Sequence, residues 1–196
     1  MVIPWKFLLL VAVAACLVLV VWLAYHEHVF RRIRAMCSIM IELQKEGRYD
    51  KAVQVVQNWI DVSHDGLMYE QIAFVYIAKA YKKPANRDES IRRAEESLQK
   101  ALSFFDRQSQ NELSLEPFEI GGAYEILADI SDKDKCRLYE KARVLFVRQL
   151  PMIKRDSYTA YGHTTRPEPV RSDVRKHFDA VNGKSSKAGC QANSEH

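Results

Sequence analysis

Between Phe7 and Tyr25 the chain reads FLLLVAVAACLVLVVWLAY, without one charged residue. At 1.5 Å per residue a helix over this run spans about 28 Å, close to the hydrocarbon thickness of a bilayer. Its Leu, Val and Phe side chains favour insertion by about 4 to 7 kcal/mol. Trp5 at one end, and Trp22 with Tyr25 at the other, stand where interfacial aromatic residues belong. A core helix has little use for apolar side chains on every face. The run is therefore expected to be a single transmembrane helix over 7–25, after a short flank, 1–6.

Two other readings compete for this run. A cleaved secretory signal has a shorter apolar stretch and a small-residue cleavage site, and no A-x-A followed by polar sequence occurs here. The stretch VAAC, ending at Cys16, resembles the lipobox of bacterial lipoproteins, which implies a lipidated cysteine and an extracytoplasmic domain. Against that, LVLVVWLAY continues after Cys16, where a lipoprotein turns polar. Flanking charge sets orientation. Lys6 precedes the span, whereas Arg31, Arg32 and Arg34 follow it, so the rest of the chain is expected in the cytoplasm. His26 and His28 flank Glu27, but residues two apart on a helix diverge, and no metal site is expected there.

Length and composition bound the remainder. At 196 residues there is room for one folded domain plus accessories. A net charge of +4, with Lys and Arg interleaved among Asp and Glu, excludes a general nucleic-acid binder. Cys16, Cys37, Cys136 and Cys190 form no CxxC pair; buried or idle thiols in a reducing compartment are expected.

The stretch EGRYDKAVQVVQNWI, residues 46–60, carries the clearest folding signal. Ala52, Val56, Trp59 and Ile60 recur at i, i+4, i+7 and i+8, one face of a helix. Asp50 stands where an N-cap would, and Gly47 follows the periodic Ile33, Met36, Ile39, Met40, Leu43 as a helix terminator. The unit reads helix, tight turn, helix. No Pro or Gly interrupts 26–46, so the anchor is expected to run unbroken into the first helix of the domain.

This pattern resembles the second-helix half of a tetratricopeptide repeat, with Gly47, Tyr49, Ala52 and Ile60 on its slots, Val56 at the aromatic slot and Trp59 in place of Ala. A second copy lies in IRRAEESLQKAL, with Ala94, Leu98, Ala101 and Leu102, preceded by FVYIAKAY, with Phe74, Ile77, Ala78 and Tyr81. A third copy, KCRLYEKA, supplies Tyr139 and Ala142 after EIGGAYEILADI, where Ile120, Gly121 and Tyr124 take the first-helix positions. The resemblance implies an all-α fold over 26–150: about three stacked antiparallel hairpins in a tetratricopeptide-like solenoid. Trp59, Ala101 and Ala142 are spaced wider than the regular repeat, and the surplus is expected in the loop-like stretches DVSHDG, KKPANRDES and DRQSQNELSLEP.

After Pro151 the density of Gly, Ser, Thr and Pro rises, and residues 151–196 are expected to be mostly disordered. The exception is 170–181. There Val170, Val174, Phe178 and Val181 keep helical spacing and Gly183 stands as terminator, giving a helix that either caps the array or docks on another protein.

No GxGxxG, Walker-type loop, HExxH or GxSxG occurs, and the histidines do not assemble with a nucleophile and base. An enzyme is not expected, and neither a cofactor nor a small-molecule substrate is implied. The resemblance implies instead a protein-binding scaffold whose first helices line a concave surface. Carried across, that surface would offer Arg34, Cys37, Ile41 and Gln44, then Val75, Lys79, Lys82 and Lys83, to a protein or peptide at the membrane. Two alternatives stand beside this adaptor: an assembly subunit that contacts its complex through the transmembrane helix, and the extracytoplasmic lipoprotein.

Overall fold

The computed structural model describes residues 5–63, 66–108, 116–149, 158–160, 163–165 and 167–190. Seven helices occur among them: α1 (Trp5–Lys45), α2 (Tyr49–Ser63), α3 (Gly66–Lys82), α4 (Arg87–Gln108), α5 (Glu116–Ile130), α6 (Lys135–Gln149) and α7 (Pro167–Lys187). A 3₁₀ turn, Pro84–Asn86, separates α3 from α4. A small antiparallel hairpin, β1 (Tyr158–Ala160) with β2 (His163–Thr165), precedes α7. Each helix packs against the next in sequence as an antiparallel pair; in addition α3 touches α5, and α5 touches α7.

The helix α1 is continuous from Trp5 to Lys45. Among the described residues no helix is long and apolar enough to cross a membrane. Within the expected span, the side chains of residues 7–15 and of residue 17 lie outside the described ones. From Val18 onward α1 carries Val18, Leu19, Val20, Val21, Leu23 and Tyr25 exposed, and it meets the core at Met36, Cys37, Met40 and Leu43.

Gly47 ends α1 as its spacing predicts. Its φ is +72°, its N–H donates to Gln44 O, and the Arg48 N–H donates to Leu43 O at 2.8 Å. That pair of bonds satisfies the last carbonyls of the helix, and glycine alone adopts the left-handed turn without a Cβ clash. Asp50 is no cap, because α2 begins one residue earlier, at Tyr49. Part of the expected loop sequence is helical, since α2 runs to Ser63 and α4 begins at Arg87; residues 64–65 and 109–115 of the three stretches lie outside the described ones.

Most of the positions expected in repeat packing lie in the core. Tyr49, Ala52, Val56, Ala94, Leu98, Ala101, Tyr139 and Ala142 are all buried. Small residues let paired helices approach and large ones fill what is left. Gly121 shows how close that approach is, since a Cβ there would stand 2.8 Å from the buried Phe146 ring.

On α3 the expected positions hold only in part. Ile77 is buried, and Phe74 and Ala78 are half-buried against the core, but Tyr81 is 64% exposed, and Ala73, Val75, Tyr76 and Ala80 are buried besides. The helix is apolar nearly all round and is flanked by α2, α4 and α5, so periodicity alone does not choose its inner face. Val75 is therefore a core residue and cannot line an open surface. Trp59 is likewise half-buried, with the Arg32 guanidinium 5.6 Å from its ring centre.

The expectation of a largely structureless C-terminal segment is also corrected. Val174 and Val181 are fully buried and Phe178 packs on the core, so α7 folds back onto α6 and α5. Gly183 lies inside α7; the terminator is Gly189, φ +73°, which repeats the turn at Gly47 with Gly189 N–H to Ser186 O and Cys190 N–H to Ser185 O. Cys190 is thereby delivered to Cys136, and the two form a disulfide. Cys16 and Cys37 are free, whereas the expectation of unpaired thiols fails for Cys136 and Cys190. The spacing of two cysteines 54 residues apart carries no sign of their pairing; it depends on α7 lying antiparallel to α6.

Candidate functional site

The end of α1, the first residue of α2 and the last turns of α3 enclose a groove of about 370 Å³. Tyr49 is its buried floor, with Ala78 and Gln44 half-buried beside it. Ile41, Lys45, Tyr81 and Lys82 stand exposed around it. The left-handed turn at Gly47 sets the α1–α2 angle and so the position of Tyr49.

Of the eight residues expected on a concave face, Ile41, Gln44 and Lys82 come together in this groove. Arg34 is exposed further back on α1, and Cys37 packs against the core. Val75 is buried, as described. Lys79 and Lys83 are engaged elsewhere: Lys79 Nζ lies 2.5 Å from Asp50 Oδ1, and Lys83 Nζ donates to Gly47 O at 3.1 Å while resting over the Tyr49 ring. Two of the three expected lysines thus brace the turn between α1 and α2. Lys82 has no ion-pair or hydrogen-bond partner among the described residues and remains the groove's available cation. Ala78 and Tyr81 were expected in repeat packing; the shifted register of α3 turns them into groove wall.

Two polar clusters sit elsewhere. At the start of α4, a cavity of about 200 Å³ is bordered by Asp88, Arg92, Glu95, Lys133, Asp134 and Arg137. Its charges satisfy one another. Arg137 grips both oxygens of the buried Glu95 carboxylate, Lys141 adds a third bond, and Lys133 pairs with Asp88 at 2.6 Å. The Arg137 hydrogen bonds, aided by Lys141, hold the Glu95 carboxyl below the ordinary carboxylate range despite its burial. In the second cluster, Glu125 accepts from Lys184 at 2.8 Å and meets His177 Nδ1 at 3.0 Å, while Asp129 accepts from Lys184 and from the Tyr139 hydroxyl, both at 2.6 Å. Burial and the Asp129 carboxylate push the Tyr139 phenol up to about 12.

Both clusters join side chains of different helices. They tie α4 to α6 and α5 to α7. Among the described residues no group of His, Cys, Asp and Glu is arranged to hold a metal ion. His26 (side chain), His64 and His196 lie outside the described residues.

No protein-family model matches this chain, and neither the curated proteins nor the solved structures give a match.

Proposed function

We propose that this chain is a membrane-anchored adaptor whose tetratricopeptide-like helical stack receives a segment of a partner protein in the α1–α3 groove. The groove itself is the observation that carries the reading. An apolar, partly aromatic trough with one available lysine at its edge suits an apolar side chain followed or preceded by a carboxylate. Its two walls are the first helices of successive hairpins, which is where helical-repeat proteins take their ligands. The additional contacts of α3 with α5, and of α5 with α7, favour a stacked array over unrelated hairpins.

Anchoring rests on the uncharged run 7–25 and on the apolar side chains that α1 exposes from Val18 to Tyr25. With Arg31, Arg32 and Arg34 following, the helical domain is assigned to the cytoplasmic side. The same exposed run favours one second reading, an assembly subunit held through its transmembrane helix.

Exchanging residues 7–25 for an unrelated anchor separates the two. The adaptor keeps its crosslinked partners after the exchange and loses them with the double substitution Ile41→Asp, Tyr81→Ala. An assembly subunit shows the opposite pattern.

A further inference from the structure

We propose that the Cys136–Cys190 disulfide is a reversible redox latch that holds α7 over the end of the helical stack. The covalent tie stands on the geometry of α6 and α7; its reversibility in the cell rests on the cytoplasmic orientation proposed above.

Three features of this end of the molecule carry the inference. Cys136, at the start of α6, is exposed, and Cys190 beyond the Gly189 turn is half-buried, so a thiol can reach the bond from solvent. An accessible disulfide in a reducing compartment is a transient or regulatory one. Next, the non-covalent hold on α7 is confined to one stripe. Val174 and Val181 are buried and Phe178 packs on the core, while Lys184 and His177, 40% and 44% exposed, reach the buried Glu125, and Lys184 also pairs with Asp129. Last, α7 covers aromatic side chains of α5 and α6. The His177 ring stands 5.4 Å from Phe118 and 5.8 Å from Phe146. The covalent tie closes the chain from α6 to the end of α7, which limits how far α7 can move when it lifts.

The exchange is balanced by two equivalents of a monothiol such as glutathione. One thiolate attacks the exposed Cys136 Sγ, forming a mixed disulfide and releasing the Cys190 thiolate. A second thiolate attacks the glutathione sulfur of that mixed disulfide, freeing Cys136 and leaving oxidised glutathione. Two electrons pass to the protein, and two protons end on Cys136 and Cys190.

The test uses the full chain in detergent micelles, equilibrated over a range of reduced-to-oxidised glutathione ratios. Maleimide mass-tagging counts free thiols above the constant background of Cys16 and Cys37, and hydrogen exchange is followed in 172–187 and in α3–α4. A latch gains two thiols within the range of ratios found in cells. Its α7 amides then exchange at least tenfold faster, while α3–α4 change less than twofold. Cys136→Ser and Cys190→Ser each reproduce the fast α7 at every ratio. A pair that stays oxidised throughout, an α7 equally protected in both states, or an acceleration that spreads to α3–α4 overturns the latch. Protease access to the domain in intact cells reads the orientation separately.

Discussion

Gly121 of α5 lies against the ring of Phe146 of α6, so close that a Cβ on the glycine would stand 2.8 Å from Phe146 Cε1. Phe146 is fully buried and cannot step aside. Gly121→Ala is expected to lower stability by about 1–3 kcal/mol, the usual cost of overpacking a filled core. Phe146→Leu in the same chain is expected to recover part of that loss, because it removes the atoms that clash. Thermal or denaturant unfolding of the four chains of the cycle measures both effects.

Glu95 supplies a pH-dependent term. Arg137 and then Lys141 depress its pKa in the folded protein below the ordinary 4.5, so the unfolded chain takes up the proton more readily. The stabilisation is complete above about pH 4.5 and is lost as pH falls through the folded-state value. Glu95→Gln is expected to destabilise the protein at pH 7 by about 1–2 kcal/mol, a figure held down because Arg137 is half exposed. The variant is also expected to show a flatter stability profile between pH 5 and pH 3 than the wild type. Urea titrations across that range read the difference.

The register of α3 is tested by two truncations. Val75→Ala empties a core site and is expected to cost about 1–3 kcal/mol. Tyr81→Ala acts on an exposed side chain and is expected to stay within about 0.5 kcal/mol of wild type. Equal losses at both positions contradict the inner face assigned here.

How far these features were legible in the sequence depends on how much each helix alternates. Regions with a polar face declared themselves: Ala52, Val56 and Ile60 on α2, and Ala94, Leu98 and Ala101 on α4, are buried at their expected positions. Gly47 was legible because only glycine tolerates that left-handed turn. The helix α3 was not, since a segment apolar on nearly every side gives no phase, and Val75 and Tyr81 exchanged roles as a result. The groove followed that error, with Ile41, Gln44 and Lys82 expected and Ala78 and Tyr81 missed. The helix α7 was half legible. Its Val174, Phe178 and Val181 stripe marked a helix, but its ion pairs with Glu125 and its disulfide join residues far apart in sequence, which local patterning does not encode.

Anchoring makes a separate prediction. The full chain is expected to stay with the membrane pellet after alkaline carbonate extraction, and a chain lacking residues 1–25 to appear in the supernatant. Cofractionation of the shortened chain with the pellet would mean that the helical domain, not the apolar run, carries the attachment.

Site-specific photocrosslinking in intact cells tests the groove most directly. A photoreactive residue is placed at Ile41 or at Tyr81 on the groove, or at Val144, exposed on α6 away from it. The groove positions are expected to yield one shared crosslinked protein that is absent from position 144. Unrelated products at 41 and 81, or the same product at all three positions, contradict a partner seated between α1 and α3.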